Sequence, residues 1–235
     1  MFKISSCFVL IFFVILHLWL PADCRESHQQ QADAMATEAS VKITTLHGQE
    51  IIPYIHKIAE LRIAIFREYP YLYEGSMAYE EQYLSMYSNT EDAMIVILED
   101  HHKVVGAVTG LPLAESMEEI KALFVEKDVS SDRVFYLGEI ILLKEYRNKN
   151  VGYMLYQHFE QAVKEAGRYD KIALCEVVRS EGDLRRPQDY KPLSSFWLRQ
   201  GYVKHSDLIA YFSWQEIGAV EETKHPMVFW SKDFL

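Results

Sequence analysis

Residues 138–153 read Gly138-Glu139-Ile140-Ile141-Leu142-Leu143-Lys144-Glu145-Tyr146-Arg147-Asn148-Lys149-Asn150-Val151-Gly152-Tyr153. An apolar run passes into a short loop of arginine, asparagine, lysine and glycine, and that loop opens a helix. The start of a helix leaves about four backbone N–H groups without intrahelical partners and carries the positive end of the dipole. Small residues there let those N–H groups wrap a pyrophosphate without obstruction. Arg147 and Lys149 add positive charge. The local chemistry leaves two readings open, a phosphate-bearing ligand held at this turn or an ordinary strand–helix turn with solvated basic residues.

Working outward, Val151, Leu155, Phe159 and Val163 repeat at helical spacing, and Gly167 ends that helix as a left-handed cap. The strand before it runs from Val134 to Leu143 and the strand after it from Lys171 to Val178. Upstream lie a strand from Val41 to Leu46 and then a helical period through Ile51, Ile55, Ile58, Leu61 and Ile65, which stops near Tyr69-Pro70. A short helix from Tyr79 to Tyr87 follows. Two strands, Ala93 to Leu98 and Lys103 to Thr109, turn at Asp100-His101-His102, whose histidines read as a solvated hairpin tip. Ser116 to Phe124 is a further helix, as is Leu193 to Gln200, stopped by Gly201. Strands from Tyr202 to Trp214 and from Met227 to Lys232 close the chain. The order predicts an α/β protein with a mixed sheet and helices on both faces.

The chain has 235 residues, 49% hydrophobic and 25% charged, which excludes a wholly disordered chain and a polytopic membrane protein. Asp and Glu number 34 against 24 Lys and Arg, a net charge of -10, which repels phosphate backbones and argues against nucleic-acid binding. Cys7, Cys24 and Cys175 are too few and too scattered for a disulfide framework or a zinc site, so no metal is expected.

Ile4 to Leu20 is almost wholly apolar and is followed by a polar linker through residue 40. Seventeen residues are marginal for a bilayer at about 1.5 Å per residue. The run reads as an anchor or uncleaved signal, with an over-long start upstream of Met35 and true secretion as alternatives. Residues 1–40 are set apart as this appendage, and 41–235 form the expected folded domain.

Arg147-Asn148-Lys149-Asn150-Val151-Gly152 resembles the Arg/Gln-x-x-Gly-x-Gly/Ala signature of the GNAT family of N-acetyltransferases. Asn150 stands where the first glycine usually is, and asparagine tolerates left-handed angles better than other non-glycine residues. Ser195-Phe196-Trp197-Leu198-Arg199-Gln200-Gly201-Tyr202 resembles the family's late Phe-Tyr-x-x-x-Gly-Phe. The resemblance covers roughly residues 41–232. A bacterial branch of the family is further suggested by Phe66 to Gly75, Arg186 to Leu193 and Met227 to Trp230.

The resemblance implies a mixed, mostly antiparallel, splayed sheet of about seven strands flanked by helices, with acetyl-CoA as acyl donor and an amine as acceptor. The pantetheine arm would lie between the fourth and fifth strands and pair with backbone of Ile140, Ile141 and Leu142, the last also polarising the thioester carbonyl. The pyrophosphate would meet Arg147, Asn148, Lys149, Asn150, Val151, Gly152 and Tyr153. Direct attack by the amine needs a base, for which Glu139 and Glu176 are the candidates; either one instead faces solvent or makes a structural pair. Cys175 need not be a nucleophile. The family's usual tyrosine acid aligns with Trp197, which has no such proton, so Tyr190, Tyr202, Tyr211 or water would serve. Tyr69, Tyr71 and Tyr73 border the expected acceptor pocket, or simply pack their loop onto the body. Arg179, Arg185 and Arg186 are either solvated or an anion contact.

Acetyl-CoA is a cytosolic metabolite, so the cytoplasmic side is expected, with tethering to the inner membrane face through residues 4–20 as an option. Trp214, Phe229 and Trp230 look exposed in the late strands and either pair between subunits of a homodimer or pack within the chain. The missing tyrosine and Asn150 also allow a module that binds acyl-CoA without turning it over.

Overall fold

The computed structural model describes residues 41–126 and 131–234, and the apolar run 4–20 lies outside them. Seven strands form one sheet, β1 Val41–His47, β2 Met94–Asp100, β3 Lys103–Pro112, β4 Val134–Leu142, β5 Lys171–Val177, β6 Val203–Gln215 and β7 Glu222–Asp233. Their order is β1-β2-β3-β4-β5-β7-β6. The pairs β2/β3, β3/β4, β5/β7 and β6/β7 are antiparallel, and β4/β5 is parallel. Among the described residues five α-helices accompany it, α1 Ile55–Phe66, α2 Met77–Asn89, α3 Glu118–Glu126, α4 Val151–Glu165 and α5 Ser194–Arg199. Among the described residues no helix is long and apolar enough to cross a membrane.

Both faces of the sheet are covered, so its central strands carry apolar residues on both faces rather than at alternate positions only. In β2, Ile95 and Ile97 join the core that contains Ile58, Leu61, Leu84 and Phe124 from α1, α2 and α3. Met94, Val96 and Leu98 join the opposite core, with Leu155, Phe159 and Val163 of α4 and Trp197 of α5. Gly167 closes α4 at φ +66, as its sequence position suggests. The helical period from Ile51 is split. Gly48–Tyr54 is a 3-10 turn carrying Pro53, and the α-helix begins only at Ile55. Proline has no N–H and tolerates only a first turn, so α1 starts behind it.

Strands β4 and β5 pair over three positions only, Val134↔Lys171, Phe135↔Ile172 and Tyr136↔Ala173. Beyond them β4 continues on β3 and β5 on β7, so the two part and leave a wedge. A bulge lies at the start of that wedge. Thr109 pairs with Glu139 and Gly110 with Leu137, which leaves Gly138 as the extra residue. The extra residue changes which face Glu139 occupies. Without it Glu139 would share the α4 face with Leu137; with it, the side chain turns to the α1/α2 face, where it meets Arg62. Only glycine fits at 138, because a Cβ there would run into the Tyr87 hydroxyl and Thr109 Oγ1.

The late aromatic residues pack within the chain. Phe229 and Trp230 are 1% exposed, and Trp214 stacks on His225 with ring centroids 3.8 Å apart. The expectation that these rings lie exposed is therefore corrected: β7 is covered on both faces and its outer neighbour is β6.

Candidate active site

The loop into α4 has the geometry its sequence suggests. Asn148 and Asn150 both sit at φ +60, and Asn150, the residue before the helix, has ψ 0. Asparagine is thus accommodated in the left-handed region where the motif usually has glycine. Its side chain makes no capping hydrogen bond. The first intrahelical bond is Met154 N–H to the Asn150 carbonyl, so the N–H groups of Val151, Gly152 and Tyr153 have no partner within the helix. Gly152 is not required by packing, since a Cβ there would meet only Leu142 Cδ2, at 3.8 Å. Glycine in a helix costs about 0.5–1 kcal/mol relative to alanine, so its presence here leaves room above the helix start at some expense in stability.

Arg147 does not stand free. Its Nε donates to the Leu142 carbonyl at 2.8 Å, and its two terminal nitrogens grip Glu68 at 2.7 and 3.0 Å. The loop before α4 is thereby tied to the segment following α1. Lys149, Asn148 and Asn150 are exposed. Just past β4, Leu143 N–H bonds to the Val105 carbonyl. By the alternation of an antiparallel ladder Ile141 also faces β3, whereas Ile140 and Leu142 turn their backbone groups toward the wedge.

The two candidate carboxylates lie on opposite faces of the sheet. Glu139 is buried on the α1/α2 side and bonded to Arg62, which also bonds Glu80. One arginine thus serves two buried carboxylates, and Glu80 Oε1 and Glu139 Oε1 are left without a hydrogen-bond partner. Burial raises the Glu139 pKa, and the nearby Arg62 only partly offsets it. Burial opposes the charge of Arg62, but Glu139, Tyr83 and Glu80 outweigh that and hold the guanidinium protonated. A hydroxyl chain flanks the cluster: Thr109 Oγ1 donates to Tyr87 at 3.2 Å, and the Tyr87 and Tyr83 hydroxyls are 3.1 Å apart.

Glu176 lies on β5 between Cys175, which packs on the α1/α2 core, and Val177, so it turns to the other face. It is half-buried. Burial raises its pKa, opposed by Lys204, the Trp230 indole and the Ser194 backbone. The indole nitrogen is near enough to act on the carboxylate yet completes no hydrogen bond. Cys175 bonds the Tyr136 hydroxyl at 2.9 Å, and burial pushes its thiol up to about 12, so it is held as an inert thiol.

The tyrosines of the segment between α1 and α2, residues 67–76, which forms a strap across the sheet end, divide. Tyr69 meets Tyr190 edge-on at 4.7 Å. Tyr71 packs on Phe66 at 4.7 Å and Trp214 at 5.8 Å. Burial raises its pKa, and the charges of Cys175, Glu139, Glu176 and Tyr190 raise it further. Tyr73 turns away, toward Glu80 and Tyr79. Tyr190 is pushed up to about 12 by burial and by Glu176. Of the other candidate acids, Tyr202 is buried against Tyr156 and Trp197, and Tyr211 is exposed on the edge strand. Trp197 itself is in the core.

The arginine cluster is engaged within the chain, Arg179 largely buried and Arg185 and Arg186 exposed. Arg179 donates to the Pro70 and Tyr71 carbonyls at 2.6 and 3.0 Å and pairs with Glu216 at 2.6 Å. Arg185 reaches the same Glu216 at 2.5 Å and also holds Asp183, while Arg186 lies over the Tyr190 ring. Together with Trp214 Nε1, which donates to Tyr71 O at 3.0 Å, they pin the segment after α1 to the end of β6. Arg62, Glu80 and Glu216 were not singled out by the sequence. Arg62 carried a signal, because it stands four residues after Ile58 on the buried stripe of α1, where an unpaired cation is too costly to leave.

The family model for the acetyltransferase (GNAT) family matches residues 57–185, more than half of the chain. Among solved structures, Arabidopsis thaliana NAA60 in complex with acetyl-CoA superposes with a TM-score of 0.53 at 11% identity, covering 83% of this chain and 98% of that one. Escherichia coli ElaA gives 0.50 at 14% identity, covering 82% and 99%. At such identities the likeness is one of fold. No curated protein matches the chain. With the motif match spanning α1 to the loop beyond β5 and the splayed sheet in place, the chain belongs to the acetyltransferase (GNAT) family.

Proposed function

We propose that the protein is an acetyl-CoA-dependent N-acetyltransferase that moves the acetyl group directly to a primary amine. The observation that carries this reading is the wedge between β4 and β5 ending at a helix start whose N–H groups are open and whose Gly152 no protein contact requires. The backbone N–H groups from Asn148 to Tyr153 hold the pyrophosphate. Lys149 adds charge, and Arg147 acts by fixing the loop through Leu142 and Glu68. Ile140 and Leu142 present backbone to the pantetheine amides, and the Leu142 N–H polarises the carbonyl. The bound donor supplies an activated thioester, so no enzyme nucleophile is needed.

Glu176 is the base we assign, because it is half-buried beside the wedge with a raised pKa and no arginine holds it. Glu139 is a positioning residue that fixes the bulge to α1 through Arg62. Tyr190 and Tyr71 stay protonated and are available as hydrogen-bond donors near Glu176. One observation favours a non-catalytic acyl-CoA-binding module instead: Trp197, in the position of the usual acid, is sealed in the core.

Incubation with acetyl-CoA and a mixture of primary amines, read by mass spectrometry and thiol release, separates the two. The proposal requires acetylated amine and free CoA from the wild type and about a 100-fold loss in Glu176→Gln. Binding of acetyl-CoA with no acetylated product from any amine would leave the binding module.

A further inference from the structure

The walls of the wedge on its acceptor side are made of rings and carboxylates, and the guanidinium groups built into them already have partners. Arg62 lies between Glu80 and Glu139. Arg179 is held by Glu216 and two strap carbonyls, and Arg185 by Asp183 and Glu216. None of the three is open to receive a carboxylate or phosphate on an acceptor. The balance left is acidic: one guanidinium, Arg62, serves the two carboxylates Glu80 and Glu139, and Glu176, half-buried beside the wedge, has no guanidinium partner and only Lys204 acting on it. Such a site favours a cationic group and disfavours an anionic one.

The rings supply a second condition. Tyr69 of the strap and Tyr190 of the loop after β5 meet edge-to-face, and Arg186 lies over the Tyr190 ring at 5.5 Å, a cation already bound to an aromatic face. Tyr71 is set behind them on Phe66 and Trp214. An aromatic body that slips between Tyr69 and Tyr190 exchanges one edge-to-face contact for two, and it carries its ammonium group toward Tyr71 and Glu176.

A third condition concerns the backbone. A peptide bound as an added strand needs unpaired N–H and C=O groups along its groove. Here the strap and the end of β6 already satisfy one another. Tyr73 bridges Glu216, Glu74 N–H bonds the Gln215 carbonyl at 2.9 Å, and Ile217 N–H bonds the Leu72 carbonyl at 2.7 Å. These backbone groups are not open to an extended acceptor.

Resting on the acetyltransferase reading above, we infer that the acceptor is a small arylalkylamine, a single cation on an aromatic body, recognised by the Tyr69–Tyr190 pair. The bound ammonium first gives one proton to Glu176, which passes it to solvent. The neutral amine nitrogen then forms the new C–N bond as the thioester C–S bond breaks, and its second proton goes to the departing CoA thiolate.

The test uses the full chain, acetyl-CoA and four acceptors at equal concentration: phenethylamine, spermidine, L-phenylalanine and the tripeptide Met-Leu-Gly. Phenethylamine is expected to lead each of the others by about tenfold or more in kcat/KM. Tyr69→Ala is expected to raise its KM about tenfold while acetyl-CoA affinity, measured by calorimetry, stays unchanged. Preference for spermidine, phenylalanine or the tripeptide overturns the inference, as does acetyl-CoA binding without acetylation of phenethylamine. The acceptor ranking is read on the wild type, so it decides even where Tyr69→Ala fails to fold. A wild type that binds no acetyl-CoA removes the acetyltransferase reading itself, and the acceptor class falls with it.

Discussion

Glu139 and Glu176 stand on opposite faces of one sheet, the first locked to Arg62 under α1 and the second beside Lys204 and Trp230. The same residue type therefore does two different jobs. Removing the charge of Glu139 leaves Arg62 with one carboxylate in a buried site, and breaking a buried pair costs about 3–5 kcal/mol. Glu139→Leu is expected to lose that much by chemical denaturation. Glu176→Gln is expected to keep its denaturation midpoint and lose about 100-fold in kcat. Equal stability of the two variants would contradict the division.

The pH profile follows from the same carboxylates. The Glu176 pKa is raised, so the base form appears only above the ordinary glutamate value of about 4.3. The log of kcat/KM should rise with unit slope through the raised value on the acid side, and Glu176→Gln should flatten that limb. An unchanged acid limb in the variant would assign it to another group.

Gly138→Ala should destabilise the protein by about 1–3 kcal/mol, because the new methyl meets the Tyr87 hydroxyl and Thr109 Oγ1. Adding Tyr87→Phe removes one of the two obstructing atoms, so the double variant should recover part of the loss. Simple additivity in a double-mutant cycle would show that the bulge does not rest on this contact.

Much of this architecture is legible in the sequence, and the reason is local. The period Val151, Leu155, Phe159, Val163 and the capping Gly167 specify α4 from within one segment, and the basic loop ahead of it specifies the turn. The parts that stayed hidden depend on partners far along the chain. Glu139 and Arg62 are 77 residues apart, and Arg179 and Pro70 are 109 apart. A strand carboxylate next to apolar neighbours looks the same whether an arginine waits across the core or not. The bulge is subtler still: Gly138 shifts the face of every following residue, and only the register with β3 reveals it.

The strap should respond to acid. Burial raises the Glu216 pKa, but Arg185 and Arg179 more than offset it, so its folded value lies below the unfolded one. A depressed carboxylate contributes stability that is present above its unfolded value, about 4.3, and lost as pH falls through the folded value. Protonation releases both arginines from Glu216 and loosens the hold on Pro70 and Tyr71. Trp214, stacked on His225 and tilted against Tyr71, should report this as a fluorescence change on acidification that Glu216→Gln already shows at neutral pH. Fluorescence of the variant identical to wild type would detach Glu216 from the strap.

Asn150 holds φ +60 at the start of α4. Asn150→Gly removes the residual strain and should be neutral or stabilise by up to about 1 kcal/mol, whereas Asn150→Val should destabilise by about 1–2 kcal/mol. Thermal melts of the two variants check this, and equal melting temperatures would mean the loop does not depend on the left-handed residue.

The central claim is that the open start of α4 holds the pyrophosphate of acetyl-CoA, and Gly152 is the place to test it. An aspartate there has space, since Leu142 is the nearest side chain, and its charge suits a helix start, so the fold should survive. The same charge repels a pyrophosphate. Calorimetric titration with acetyl-CoA should give a Kd of about 1 μM, or −8 kcal/mol, for the wild type and at least about 100-fold weaker binding for Gly152→Asp, with equal melting temperatures. No binding to the folded wild type, or equal binding to both proteins, would contradict the account.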